Sequence, residues 1–201
     1  MRALKEKDLS KLLDDMPSVE ALEAELSREN YRSRYSKVLR NTIYTLITVA
    51  AVAVLVATLW MPVFQTSGSS MTPTLSESDF VVSFKTKKLE AGDIVAFYIN
   101  NKILVKRVIA KAGDWVNISE EGIVSVNGHI LDEPYIDEPA LGDTDLEYPY
   151  QVPEKKYFVM GDHRSVSIDS RNSTVGCVSD EDIVGKIIFC VWPIPDFGTI
   201  D

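Results

Sequence analysis

The sequence predicts a mostly β protein: a single N-terminal transmembrane helix, then an extracytoplasmic domain of antiparallel sheet carrying a small β insertion. Two observations point there. Ile43–Phe64 is a run of 22 residues without a charge, dominated by Val, Ala, Leu and Ile. After Leu75 the chain breaks into short β-branched and aromatic runs separated by turn signals, the pattern of antiparallel strands. The expected division is a cytoplasmic tail over 1–41, a signal-anchor helix over 42–64 and an outer domain over 65–201, with about 114–154 forming a hairpin and an acidic loop.

In the tail, Leu9, Leu12, Leu13, Met16, Val19, Leu22 and Leu26 recur at near-helical spacing. Pro17 is expected to split them into two short helices, with Ser18 as a cap. A docking helix and a weakly structured tail that sets topology both fit, and the tail is the simpler reading. The apolar run itself would make roughly 33 Å of helix at 1.5 Å per residue, enough for a hydrocarbon core of about 30 Å. Tyr44 and Trp60 suit the two interfaces, and Pro62 weakens the helix near its end. The run is too long and starts too far from the N-terminus for a cleavable leader. Arg28, Arg32, Arg34, Lys37 and Arg40 flank it on the N-terminal side, so the N-terminus is expected in the cytoplasm and the chain beyond about residue 65 outside.

Strands are expected at Phe80–Phe84, Asp93–Tyr98, Ile103–Val105, Lys106–Ile109, Lys156–Met160, Thr174–Val178 and Val184–Val191. Ala91-Gly92-Asp93, Asn100-Asn101 and Ala112-Gly113-Asp114 supply turns between them. Ile123–Val126, Asn127-Gly128 and His129–Leu131 form a hairpin pattern, because Asn-Gly fits a type I′ turn. Residues 132–154 hold Asp132, Glu133, Asp137, Glu138, Asp143, Asp145 and Glu147 among four prolines. Their spacing matches no calcium loop, so a solvated acidic excursion is expected.

Charge narrows the function. The net charge of −9 argues against a nucleic-acid partner, and residues 1–40, with nine Lys/Arg and eight Asp/Glu, leave the rest of the chain at −10. Cys177 and Cys190 are too few for a disulfide framework or a zinc site. Two free thiols or one bridge both fit, and two small buried hydrophobes is the simplest reading.

Three segments carry chemistry. Ser67-Gly68-Ser69-Ser70-Met71-Thr72-Pro73-Thr74-Leu75 places a hydroxyl nucleophile, Ser70, just beyond the apolar run. A serine needs a base, and Lys106 is a candidate: strand alternation puts Lys106 and Arg107 on opposite faces, so one charge points inward, and burial lowers a lysine's pKa. Gly161-Asp162-His163-Arg164-Ser165-Val166-Ser167-Ile168-Asp169-Ser170-Arg171 packs hydroxyls, carboxylates and arginines into one loop, where Asp169 and Arg171 are spaced to pair and Ser167 to orient a base.

Together these segments resemble bacterial type I signal peptidases, membrane-bound Ser-Lys endopeptidases that remove signal peptides. Ser70–Leu75 resembles the family's nucleophile box, Val105–Ile109 with Gly113-Asp114 its lysine box, and Gly161–Arg171 its last signature box. Asp79–Ser83 and Gly92–Val95 fit the strands between, and the likeness covers roughly 63–193. It implies that Ser70 is the nucleophile, Lys106 the general base, Ser167 a hydrogen-bonding orienter of Lys106, and Asp169 with Arg171 a supporting salt bridge. It implies too that the substrates are signal peptides of secretory pre-proteins, cleaved after small residues in an Ala-x-Ala pattern. No metal and no cofactor would be needed, and the protein would work as a monomer against membrane lipid. Gly68, Ser69 and Met71 are the candidates for lining the substrate and oxyanion site, with Met71 expected either at the lipid surface or in the core.

Two departures stand out. His163 replaces the commoner asparagine, which opens a Ser70–His163–Asp169 triad as an alternative. Gly68 stands where some members place a serine that helps line the oxyanion hole, leaving the Ser70 backbone N–H as the donor. A membrane-anchored extracellular binding domain without catalysis, and a Ser-Lys peptidase acting on other substrates, are the competing readings.

Overall fold

The computed structural model describes residues 18–86 and 88–200. The expected helix before Pro17 lies outside them. The chain divides into two units, one up to Val54 and the other from Leu55 onward.

The first unit is described by one helix, α1 (Val19–Trp60), which continues to Trp60 in the second. Ser18 caps it: its Oγ accepts the Ala21 N–H at 3.2 Å. The helix differs from expectation at both ends. No glycine or proline interrupts 18–61, and Glu, Ala, Leu and Arg favour helix over 19–41, so the tail and the apolar run form one 42-residue helix rather than separate pieces. It stops at Trp60, and Val63–Gln65 is a strand, so 61–64 do not belong to the helix. Pro62 has no N–H to continue the ladder, and the Trp60 and Pro62 carbonyls accept from Lys85 and Ser83 instead. Thr42, Thr45 and Thr48 fold their hydroxyls back onto the carbonyls of Val38, Asn41 and Tyr44. Polar side chains in the apolar stretch are thereby satisfied within the helix. By length and composition α1 is one helix able to cross a membrane.

The second unit is antiparallel β. Strands β1 (Val63–Gln65), β2 (Phe80–Phe84), β3 (Ile94–Ile99), β4 (Lys102–Lys111), β9 (Lys156–Met160), β10 (Val178–Ser179), β11 (Ile183–Trp192) and β12 (Gly198–Thr199) make an eight-stranded sheet ordered β1-β2-β11-β3-β4-β9-β10, with β12 also on β11. Strands β5 (Trp115–Ile118), β6 (Val124–Val126), β7 (His129–Ile130) and β8 (Tyr150–Gln151) make a second sheet of four, ordered β7-β6-β5-β8. Asn100 (φ 46°) with Asn101 (φ 63°), and Asn127 (φ 54°) with Gly128 (φ 82°), turn the two tight hairpins in the left-handed region such turns require. The two runs expected at 103–105 and 106–109 are one long strand, β4.

The strand expected at Thr174–Val178 is mostly turn, and β10 begins only at Val178. Asn172 accepts the Thr174 N–H on its side chain, and its carbonyl accepts from Val175 and Gly176. That local closure overrides the β-branched composition.

Three apolar clusters fix the frame. Met71, Leu75, Val81, Ile94, Ala96 and Ile187 lie under the turn that carries Ser70. Leu89, Val95, Phe97, Val108, Val159 and Val178 form a second cluster. Ile109, Ala110, Phe158 and Met160 of the large sheet pack with Val116, Ile118 and Val124 of the small one. β3 contributes alternately to the first two, which is why Ile94–Phe97 are all buried. Cys190 is buried, Cys177 half-buried, and both are free thiols.

Candidate active site

Ser70 opens a turn that ends at Leu75, whose N–H reaches the Met71 carbonyl at 2.8 Å. Met71 and Leu75 are both buried, so the turn is anchored by its apolar side chains while Ser70 stays half-buried on the other side. Met71 is therefore a core residue and not a lipid contact.

Lys106, in β4 beside Val95 of β3, is buried, and its Nζ lies 2.5 Å from Ser70 Oγ. Burial pulls its pKa from 10.5 down to about 8; the Asp169 carboxylate opposes the shift, Arg171 adds to it, and Asp162 opposes it. Arg107 is buried as well, so the expectation that only one of the pair points inward is corrected. Alternation still sends them to different partners: Lys106 to Ser70, and Arg107 to the carboxylate of Asp162 at 3.0 and 2.9 Å. That second carboxylate compensates the second charge.

In the loop after β9, Asp169 and Arg171 form a fully buried bidentate pair, 2.8 Å from Nε and 2.9 Å from Nη2. Asp169 also accepts the Gly161 N–H at 2.9 Å. The Ser167 Oγ is buried with no hydrogen-bond partner among the described residues, and the bond from Lys106 goes to Ser70. That Oγ and the Ser70 carbonyl both crowd the space over Gly161. A Cβ on Gly161 would meet that Oγ at 2.3 Å and the carbonyl oxygen at 2.4 Å. Gly161→Ala is accordingly expected to displace the turn that carries Ser70 and lower the protein's activity about 10²-fold, the scale of a 1 Å misplacement. An activity assay giving wild-type rates would refute it.

His163 does not make a triad. Its Nδ1 contacts Thr72 Oγ1 at 2.9 Å and the Ser69 carbonyl at 3.2 Å. Asp169, for its part, is occupied by Arg171 and the Gly161 amide. Gly68 has φ +83°, a backbone that favours glycine, and lies exposed, as does Ser69. Ser70 and Lys106 open onto a cleft of about 220 Å³ walled by Phe64–Gly68 and Met71 on one side and Ile103–Val105 on the other. Among the described residues each wall has a free strand edge. β1 is terminal in its sheet, and β9 pairs only with the second half of β4, from Arg107 on.

A family model described as signal peptidase, peptidase S26, matches residues 39–192. The chain belongs to the signal peptidase family. Signal peptidase IB of Staphylococcus aureus (strain COL) is 38% identical over 151 residues, spanning 65% of this chain and 77% of that protein. A probable signal peptidase I-2 of Synechocystis sp. is 33% identical over 169 residues, spanning 78% and 74%. Among solved structures, a signal peptidase I from Enterococcus faecalis V583 is similar at 29% identity with a TM-score of 0.41, covering 51% of this chain and 98% of that one. Family membership supports signal-peptide cleavage as the activity.

In this signal peptidase the sequence reading missed two buried ion pairs. Arg107 and Asp162 are joined by Thr74, whose hydroxyl donates to Asp162 at 2.5 Å, and the Tyr135 ring lies 3.9 Å from the Arg107 guanidinium. Arg164 is paired with Glu133, which also accepts the Tyr135 hydroxyl at 2.8 Å. Asp143 and Asp145 bond Asn172 and Ser173. The segment read as a solvated acidic excursion is therefore docked through several of its carboxylates onto the signature loop. The signal available in the sequence was the charge of Arg107, Asp162 and Arg164 inside the matching boxes, since such groups stay charged inside a domain only with partners. No cluster of three or more His, Cys, Asp or Glu among the described residues is arranged to hold a metal ion.

Proposed function

We propose that this chain is a membrane-anchored serine endopeptidase that cuts N-terminal signal peptides from secreted pre-proteins after small residues in an Ala-x-Ala pattern. Ser70 is the nucleophile and Lys106 the general base. The observation that carries this reading is the 2.5 Å contact between Ser70 Oγ and a buried lysine whose pKa is lowered to about 8.

Neutral Lys106 takes the Ser70 proton as Oγ attacks the scissile carbonyl carbon. The resulting oxyanion is held by the Ser70 N–H. Collapse breaks the C–N bond, the Lys106 ammonium returns its proton to the leaving amine of the mature protein, and the signal peptide remains as an ester on Ser70. Neutral Lys106 then takes a proton from the water that attacks this ester and passes it to Ser70 Oγ as the signal peptide leaves with a free carboxyl end. Ser167, without a partner among the described residues, has a hydroxyl for orienting Lys106 once that lysine leaves Ser70, and Asp169 with Arg171 braces the loop.

The free edges of β1 and β4 support a substrate that adds as a strand, and the small cleft between them favours alanine over larger side chains. Residues 42–60 serve as the anchor, with the basic flank in the cytoplasm and the domain after about residue 65 outside, so that enzyme and signal peptide share one bilayer. The full chain in detergent, incubated with a secretory precursor, should release mature protein, and Ser70→Ala should release none. No cleavage by the wild type would favour the binding-domain reading.

A further inference from the structure

Residue 163 holds the nucleophile turn at two points. Its backbone N–H donates to the Ser70 carbonyl at 3.1 Å, and its Nδ1 sits 2.9 Å from Thr72 Oγ1 and 3.2 Å from the Ser69 carbonyl oxygen. Thr72 Oγ1 in turn donates to that same Ser69 oxygen at 2.9 Å. A carbonyl oxygen only accepts, and the Thr72 proton is already used. All three contacts are satisfied together only by the tautomer that carries its proton on Nδ1, an assignment made from the hydrogen-bond network.

The Ser69 carbonyl and the Ser70 N–H are opposite ends of one planar trans peptide. Fixing the oxygen therefore fixes where the N–H points, and a donor on the oxygen polarises that N–H. Gly68 brings no side-chain donor to this side of the cleft, so the Ser70 amide bears the oxyanion with correspondingly little tolerance for misalignment.

We propose that His163 is a positioning residue for the oxyanion hole: through Nδ1–H it aligns and polarises the Ser69–Ser70 peptide whose N–H receives the developing negative charge. The proposal rests on Ser70 being the nucleophile.

The test uses the full chain in detergent with a synthetic signal-peptide substrate, comparing wild type, His163→Ala, His163→Asn and Thr72→Val, with thermal melts to check folding. Deleting an oxyanion donor costs about 10²–10³ in kcat. His163→Ala leaves that donor present but loosely aimed, so kcat is expected to fall by about tenfold, short of that loss, with KM unchanged. Affinity for a peptide aldehyde, which forms a tetrahedral adduct on a serine, should fall by the same factor. Asparagine carries an N–H donor on its side chain and should restore most of kcat; Thr72→Val should show a smaller loss, also in kcat. Wild-type kcat in His163→Ala, no rescue by asparagine, or a loss confined to KM with aldehyde affinity unchanged would overturn the proposal. Cleavage surviving in Ser70→Ala would instead overturn the nucleophile assignment beneath it.

Discussion

Lys106→Met is expected to lower precursor cleavage by about 10²–10⁴-fold, the range a general base contributes, while making the folded protein more stable at neutral pH. Both effects have one cause. Lys106 is buried, and its pKa of about 8 in the folded state lies below the 10.5 of an exposed lysine. Between these values the unfolded chain binds more protons than the folded one, so stability rises with pH across that window. Below about pH 8 the cost of burying the ammonium is present in full, about 3 kcal/mol for a shift of this size. Methionine keeps the unbranched stem against its neighbours and removes the charge, so part of that cost is returned. Activity in the wild type should follow the neutral amine, with the acid limb of kcat/KM centred near pH 8. Precursor cleavage on gels and thermal unfolding at pH 7 check both halves. Substantial activity in Lys106→Met would remove Lys106 as the base; a lower melting temperature would show that the buried amine is a net stabiliser.

The division between what was readable from sequence and what was not follows the range of the interactions. Strands β3 and β9 and the hairpin at Asn127-Gly128 depend on local alternation and turn chemistry, which neighbouring residues reveal. Where local pattern competed with packing or capping, the reading failed: Thr174 and Val175 looked like strand, but the Asn172 turn claimed them. The helix began before its expected start because nothing in 18–61 breaks it, and hydropathy marks where the chain turns apolar, not where the helix begins. In the site, Ser70 and Lys106 are 36 residues apart, and only the resemblance of the motifs around them suggested that they meet. Arg107 and Asp162 sit in two of those motifs 55 residues apart, but the resemblance gave neither a partner. Glu133 lies outside every motif, 31 residues from Arg164, so the acidic segment looked solvated. The His163 contacts were unreadable because Thr72 is 91 residues away and the resemblance gives no role to either side chain.

Asp169→Asn and Arg171→Met are both expected to destabilise the domain but to move the pH profile in opposite directions. Each strands a fully buried charge whose partner has gone, a change that costs about 3–5 kcal/mol. Arg171 should be the more damaging site. Its guanidinium also donates to the carbonyls of Ala140, Leu141, Arg164 and Ser167, so losing it unpins the acidic segment from the signature loop. Lysine should not rescue it, because one ammonium cannot reproduce the planar fork. The pH profile separates bracing from electrostatics. Asp169 raises the pKa of Lys106 and Arg171 lowers it. Removing the carboxylate should therefore shift the acid limb of kcat/KM to lower pH, and removing the guanidinium should shift it higher. Urea unfolding followed by tryptophan fluorescence measures the first effect, and pH–rate profiles on the folded fraction measure the second. If both variants moved the limb the same way, or left it in place, the pair would be a brace with no part in setting the base.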